Sequence, residues 1–239
     1  MDLSVVIPVY NEAENVEPLI NEVIAAIPDK LAFEIVMVDD CSTDETYANL
    51  KKLREHDKRV RIIRHATNAG QSTAIMNGVK AARADWVATL DGDGQNDPAD
   101  IPVLFSALDT LPSDKPGVIC GWRTKRHDSW LRKLSSRIAN GVRSALLGGA
   151  TPDTGCGLKL FPRQLFLELP TFNHMHRFLP ALFQRQGAHV ISVPVNHRPR
   201  ARGVSKYGVH NRLWVGIVDL FGVMWLQRRA KRPDVSEVD

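Results

Sequence analysis

Apolar runs of strand length alternate with helix-period segments through the first half of this 239-residue sequence, and that alternation limits the folds open to it. Residues 3–9, 33–38, 60–63, 86–90 and 118–120 are rich in β-branched side chains with few polar interruptions. Between them, 13–27, 44–55, 71–82 and 100–108 carry apolar residues at helical spacing. Strands that are apolar on both faces need cover on both faces. The pattern therefore predicts an α/β fold with a mostly parallel central sheet and helices on each side. A chain of this length can bury one such core. Beyond residue 121 the pattern predicts a long basic helix over 128–147, a turn and short strand over 153–161, and a last strand over 189–195. A basic loop and an aromatic, apolar tail helix follow.

Ligands of such sheets sit beyond the carboxyl ends of the strands. Three of the predicted strand ends carry acids: Glu12 after the first, Asp39 and Asp40 after the second, and Asp91 and Asp93 after the fourth. Right-handed crossovers bring all three to one rim. The sharpest is Asp91-Gly92-Asp93-Gly94-Gln95, which follows an apolar run directly. Two acids one residue apart on an extended segment can point the same way. Gly92 and Gly94 allow a sharp turn and close approach to a ligand. Crowded carboxylates repel unless a cation lies between them. A divalent cation such as Mg²⁺, which takes one or two carboxylates plus substrate phosphate oxygens, suits that need. An isolated D-G-D is an ordinary solvated turn; three acidic ends on one rim make a site.

The net charge of +4 hides a strong segregation. Residues 123–143, 197–212 and 228–232 together carry +15, and the rest of the chain carries −11. Such polarity points to anionic partners: phosphates, lipid headgroups or nucleic acid. Cys41, Cys120 and Cys156 lie far apart, which argues against a disulfide framework or structural zinc and suits a reducing cytoplasm. No basic n-region precedes the first apolar run, so no signal peptide is expected. The apolar stretch 213–226 is interrupted by Asp219 and falls short of the ~20 residues of a spanning helix.

The segments Val6-Ile-Pro8-Val-Tyr10-Asn11-Glu12, Val38-Asp39-Asp40-Cys-Ser42-Thr-Asp44 and Leu90-Asp91-Gly-Asp93-Gly-Gln95 resemble family 2 glycosyltransferases of the A-type nucleotide-sugar (Rossmann-like) fold. Three later segments resemble the polyprenyl-phosphate branch, of which the dolichol-phosphate mannose synthases are best known. They are Asp128-Ser-Trp-Leu-Arg132-Lys133-Leu-Ser-Ser136-Arg137, Asp153-Thr-Gly-Cys-Gly-Leu-Lys159 and Gly203-Val-Ser205-Lys206-Tyr207-Gly. The resemblance runs from residue 3 to about residue 210.

The resemblance implies a donor site. Pro8, Tyr10 and Glu12 would line the nucleoside pocket, with Asp39 or Asp40 accepting from base or ribose. Asp91, Asp93 and Gln95 would hold Mg²⁺ or Mn²⁺ on the donor diphosphate, the cation neutralising charge on the departing group. Ser42 and Asp44 read better as helix caps. The implied acceptor is a polyprenyl monophosphate, met by Arg123, Arg132, Ser136, Arg202, Ser205 and Lys206, with Arg202 also near the donor. Arg177 is a further candidate for the diphosphate. Arg forks around phosphate oxygens and Lys supplies a point charge. Arg126, Lys133, Arg137 and Arg143 read as a solvated basic face or as headgroup contacts.

A phosphate monoester has its second pKa near ~6, so this nucleophile is already an anion at neutral pH. No strong general base is required, and in-line attack would invert the sugar's anomeric configuration. Asp153 reads either as a residue that orients the sugar or handles a proton, or as a structural turn residue. Mannose is the sugar implied by the best-known branch. Residues 1–212 would form the catalytic domain, with 213–239 an amphipathic helix and basic tail. Trp214, Phe221 and Trp225 beside Arg228, Arg229, Lys231 and Arg232 suggest peripheral docking on the cytoplasmic face of a membrane; core packing or a dimer contact is the plainer reading.

Two other classes compete. A soluble family 2 transferase acting on a polysaccharide or oligosaccharide would keep the donor site without the basic phosphate constellation. A non-catalytic anion- or nucleic-acid-binding relative would explain the basic blocks. The aromatics, however, do not interleave with those blocks as a stacking platform would, so no nucleic-acid partner is expected. A dinucleotide oxidoreductase is excluded by the missing G-x-G-x-x-G after the first strand.

Overall fold

A computed structural model describes residues 1–112, 115–124, 141, 146–149, 151–200 and 211–231, the last stretch with side chains from Val215 onward. The described strands are β1 (Leu3–Val9), β2 (Phe33–Asp39), β3 (Val60–Arg64), β4 (Trp86–Thr89), β5 (Gly117–Arg123), β6 (Lys159–Pro162) and β7 (His189–Val195). They form one sheet in the order β3-β2-β1-β4-β6-β5-β7. Only β6 runs against its neighbours β4 and β5. The other pairings, β1 with β2 and β4, β2 with β3, and β5 with β7, are parallel. Six strands therefore end on one rim. The reversed strand delivers its beginning, Lys159, to that same rim beside Thr89.

The helices are α1 (Val16–Ala26), α2 (Thr46–His56), α3 (Gln71–Ala81), α4 (Ile101–Ser106), α5 (Arg163–Leu167), α6 (Leu179–Arg185) and α7 (Asn211–Arg228). Alternate residues of β1 face opposite layers, as a pleated strand requires. Leu3, Val5, Ile7 and Val9 pack with Leu19, Ile20 and Val23 of α1, Leu50 of α2 and Ile101 and Leu104 of α4. Val6 instead joins Val36, Val38, Ala74, Ile75 and Val79, with Phe166, Leu182 and Phe183 from α5 and α6. The sheet is thus covered on both faces, as its unbroken apolar strands require. Phe161 stacks on Phe166 at 5.2 Å and meets Phe183 at 5.1 Å, fixing α5 and α6 to β6. Such ring pairs add about 0.5–1.5 kcal/mol beyond burial.

Some expected boundaries shift for local reasons. Helix α1 starts at Val16 rather than 13, because residues 12–15 form a turn closed by Asn15 N donating to Glu12 O at 2.9 Å. Ser42 does not cap a helix; its Oγ accepts Asn11 N at 2.9 Å and ties the β1 turn to the β2 turn. Asp44 also ties the turns, accepting Thr46 N at 2.9 Å and Ala13 N at 3.3 Å, while the cap position of α2 falls on Glu45. Most of the basic helix expected over 128–147 lies outside the described residues. The tail helix is present as α7 and packs on α6, with Val223 buried and Gln227 Nε2 donating to Leu147 O at 3.1 Å. Among the described residues no helix is long and apolar enough to cross a membrane.

Candidate active site

Strand β1 lies between β2, which follows it in sequence, and β4, so the crossovers diverge on its two sides. A crevice opens at such a switch point. Here it is a cleft of about 510 Å³, lined by Pro8, Tyr10 and Glu12 from the end of β1 and Asp91, Asp93 and Gln95 from the end of β4. Asn68, Gly70 and Gln71 close a third side, and Arg200 a fourth. The three acidic strand ends do converge on one rim.

The two glycines of the D-G-D segment do different work. A Cβ on Gly92 would lie 2.5 Å from Val9 Cγ1 and 2.7 Å from Pro8 O. Its bare Cα lets the β4 loop press against the end of β1 while the glycine itself lines the cleft. Gly94 has φ of +73°, a left-handed turn that glycine adopts without strain. A side chain on Gly157 would meet Asp91 Oδ2 at 2.2 Å, so the turn before β6 is the floor beneath that carboxylate.

Asp91 is held by Gln71 Nε2, which donates to its Oδ1 at 2.7 Å. Burial pushes its pKa up to about 6, and the nearby Asp93 charge adds to the rise; Lys159, Arg123 and the Gln71 bond oppose it. Asp93 Oδ1 accepts Gln95 N at 3.1 Å, and its Oδ2 accepts Arg200 Nη2 at 2.7 Å. Gln95 is fixed in turn by Nε2 donating to Arg198 O at 3.4 Å and by Arg198 N donating to Gln95 O at 2.9 Å. Among the described residues no group of three His, Cys, Asp or Glu side chains could hold a metal by itself. Two carboxylates and an amide oxygen instead make the partial set of hard oxygen donors that a cation shared with substrate phosphates uses. Burial is the larger cause of the rise at Asp91, and the Asp93 charge that adds to it is what such a cation would offset.

Other expected residues are held by partners of their own. Asp40 borders the cleft, but its oxygens accept Ala69 N and Gly70 N, both at 2.8 Å, and His65 Nδ1 lies 2.7 Å from Oδ1. It shapes the 65–70 loop. Asp39 is fully buried behind the cleft, with Oδ1 accepting Ser42 N at 3.0 Å and Oδ2 3.1 Å from Arg64 Nε. Both oxygens of Asp153 accept from Arg123, Nε at 2.6 Å and Nη2 at 2.8 Å, and both residues are largely buried. The expected phosphate contact and the expected sugar or turn residue are thus one ion pair. Arg123 has two donors committed to Asp153, so both expected roles would be played by one buried pair. Arg177, in the short turn Met175–Arg177, does not line the cleft. Arg132, Ser136, Arg202, Ser205 and Lys206 lie outside the described residues, as do Arg126, Lys133, Arg137, Arg143 and the Trp214 side chain.

The sequence profile of Glycosyl transferase family 2 matches residues 4–169, a span that contains all three acidic strand ends. The chain belongs to this family. As a glycosyltransferase it is similar to the dodecaprenyl-phosphate galacturonate synthase of Rhizobium johnstonii, at 37% identity over 98% of this chain and 69% of that one. It also resembles the undecaprenyl-phosphate 4-deoxy-4-formamido-L-arabinose transferase of Edwardsiella ictaluri, at 37% identity over 87% of this chain. The chain spans 63% of that relative's length. Among solved structures, glucosyl-3-phosphoglycerate synthase from Mycobacterium tuberculosis, in complex with Mg²⁺ and UDP, superposes with a TM-score of 0.68. The match covers 92% of this chain and 79% of that one at 16% identity, a likeness of fold.

Three site residues escaped the sequence reading: Gln71, Arg200 and Lys159. Lys159, whose Nζ donates to Cys156 O, is buried where its charge helps keep Asp91 ionised. Its position at the end of the D-T-G-C-G-L-K segment was the available signal. Arg200 lies in the basic stretch 197–212, two residues before the expected Arg202. Gln71 opens α3 directly after Gly70, the place where a first-turn side chain faces the rim.

Proposed function

We propose that this glycosyltransferase moves a sugar from a nucleotide-diphosphate donor to a polyprenyl monophosphate, inverting the anomeric centre with the help of Mg²⁺ or Mn²⁺. The observation that carries the reading is the cleft between β1 and β4, lined by Asp91, Asp93 and Gln95 together with Glu12, Pro8 and Tyr10. The bound cation would offset charge on the departing diphosphate. Asp91, Asp93 and Gln95 would hold it, Gln71 and Gly157 keeping Asp91 in place. Polyprenyl phosphates named in both relatives support the acceptor class. A phosphate monoester is already an anion at neutral pH, so this acceptor asks no strong general base of the cleft. Arg132, Ser136, Arg202, Ser205 and Lys206 are the residues assigned to the acceptor phosphate.

For the sugar, galacturonate is preferred to mannose, because the Rhizobium relative aligns over 98% of this chain. Docking at the cytoplasmic face of a membrane is assigned to α7 and the basic tail after it. Val218, Phe221 and Trp225 are 67%, 63% and 60% exposed at helical spacing along one face, with Arg228 and Arg229 just beyond. Aromatic and basic residues in that order suit the headgroup boundary.

The test uses the full chain with undecaprenyl phosphate in vesicles, Mg²⁺ or Mn²⁺, and separate UDP-galacturonate, UDP-4-deoxy-4-formamido-L-arabinose and GDP-mannose. A lipid-linked sugar formed by the wild type and lost in Asp93→Ala supports the reading. Transfer only to free oligosaccharide, or to no acceptor from any donor, overturns it.

A further inference from the structure

Arg200 stands where a second positive charge would compete with a metal ion. It is the one Lys or Arg among the described residues lining the cleft. Its Nη2 donates to Asp93 Oδ2 at 2.7 Å, and its Nη1 lies 3.6 Å from Glu12 Oε1. The remaining oxygens of those acids are also engaged: Asp93 Oδ1 by Gln95 N, and Glu12 Oε2 by Asn15 Nδ2 at 2.6 Å. A cation that takes Asp93 Oδ2 must share or displace the guanidinium. All three side chains are largely shielded from water, which strengthens both the pair and the competition.

The segment carrying Arg200 is built to present it. Asn196 N and Nδ2 donate to the two oxygens of Asp100 at 2.7 and 3.3 Å. His197 pairs with Asn96 as an isolated antiparallel bridge. Arg198 is clamped between Glu22, 2.6 Å away, and Asp97. Residues 196–198 are thus riveted to the loop 95–100, and Arg200 reaches the cleft from that anchor.

We propose that Arg200 is a resident counter-cation: it closes the Asp93–Glu12 pair in the metal-free protein, and a divalent cation must displace it from Asp93 to enter. The inference rests on the reading that Asp91, Asp93 and Gln95 hold such a cation. Loading then frees a guanidinium at the mouth of the cleft, able to fork onto phosphate oxygens. Metal entry and release of Arg200 become one event. Nucleotide arriving with the metal would shift that balance, since it offers Arg200 another anionic partner.

The experiment is Mn²⁺ binding to the full chain, followed by electron paramagnetic resonance without nucleotide and again with UDP. Arg200→Gln is expected to bind Mn²⁺ alone about fivefold more tightly than the wild type, the gain expected when a competing ion pair is removed. Arg200→Lys, which keeps the charge but loses the fork, should fall between them. Lys51→Gln removes an equal charge from the exposed face of α2, where the ammonium touches neither Asp93 nor Glu12, and should stay within about twofold of the wild type. Equal affinity in wild type and Arg200→Gln overturns the inference, as does equal tightening by Lys51→Gln, which would mark a diffuse charge effect. Absence of Mn²⁺ binding in every variant, with and without UDP, instead removes the metal reading on which the inference stands. Thermal melting of each variant by circular dichroism checks that the fold persists.

Discussion

Two carboxylates at opposite ends of the same sheet have been treated in opposite ways. Glu34 sits where the strands begin. Ser4 Oγ, Arg61 Nη1 and Arg83 N each donate to it at 2.7 Å. Burial alone would raise its pKa, but those bonds and the Arg61 charge outweigh it and hold the group below the ordinary glutamate value. Asp91 sits where the strands end. It has one short side-chain bond, a carboxylate neighbour in Asp93 and a pKa pushed up to about 6. One end of the sheet satisfies its charge for the sake of the fold. The other leaves charge in need of a partner, which is how a binding site differs from a structural ion pair.

Removing either group should separate the two roles. The largest expected effect on stability is Glu34→Ala, which strands Arg61 and leaves Ser4 Oγ without its acceptor. It should lower unfolding free energy by about 3 kcal/mol in urea titrations, while donor binding by any folded fraction stays intact. Gly157→Ala comes next. Its methyl group needs the space held by Asp91 Oδ2, so kcat for sugar transfer should fall about a hundredfold. A normal kcat in that variant would mean Asp91 can move without consequence.

Asp91→Asn should abolish transfer yet stabilise the metal-free protein by about 1–3 kcal/mol at pH 7.5, from the cost of keeping a raised carboxylate ionised. The smallest effect is in pH. Asp91 has a folded pKa above its unfolded one, so its cost is relieved as pH falls through 6 toward the unfolded value. Glu34 has a folded pKa below its unfolded 4.5, so its contribution is complete above that value and lost as pH falls through the lower one. In EDTA, wild type minus Asp91→Asn stability should therefore narrow between pH 7 and 5. Wild type minus Glu34→Gln should hold over that range and narrow only below pH 4.5.

The parts of this architecture that repeat locally are legible in the sequence. Strand β1 coincides with the apolar run 3–9, and the acidic ends of β1, β2 and β4 follow from parallel alternation alone. What was not legible depends on distant partners. Arg123 and Asp153 are 30 residues apart, Gln71 and Asp91 are 20, and Asp93 and Arg200 are 107. No periodicity joins them. A basic stretch announces affinity for anions, but it does not say that one of its arginines answers an acid of the same chain. The reversal of β6 was similarly hidden, because a four-residue apolar strand reads the same in either direction.

The squeeze on Asp91 between Gly157, Asp93 and the cleft wall has a practical consequence. A molecule that brings positive charge to that carboxylate gains its own binding energy and also discharges an unfavourable interaction already present in the empty fold. Ligands specific for the folded state raise its melting temperature by mass action. In this chain the shift should be amplified for cationic and cation-carrying ligands. A plate of nucleotide sugars scanned by melting temperature, each with and without Mn²⁺, can therefore sort candidate donors before any lipid acceptor has been prepared.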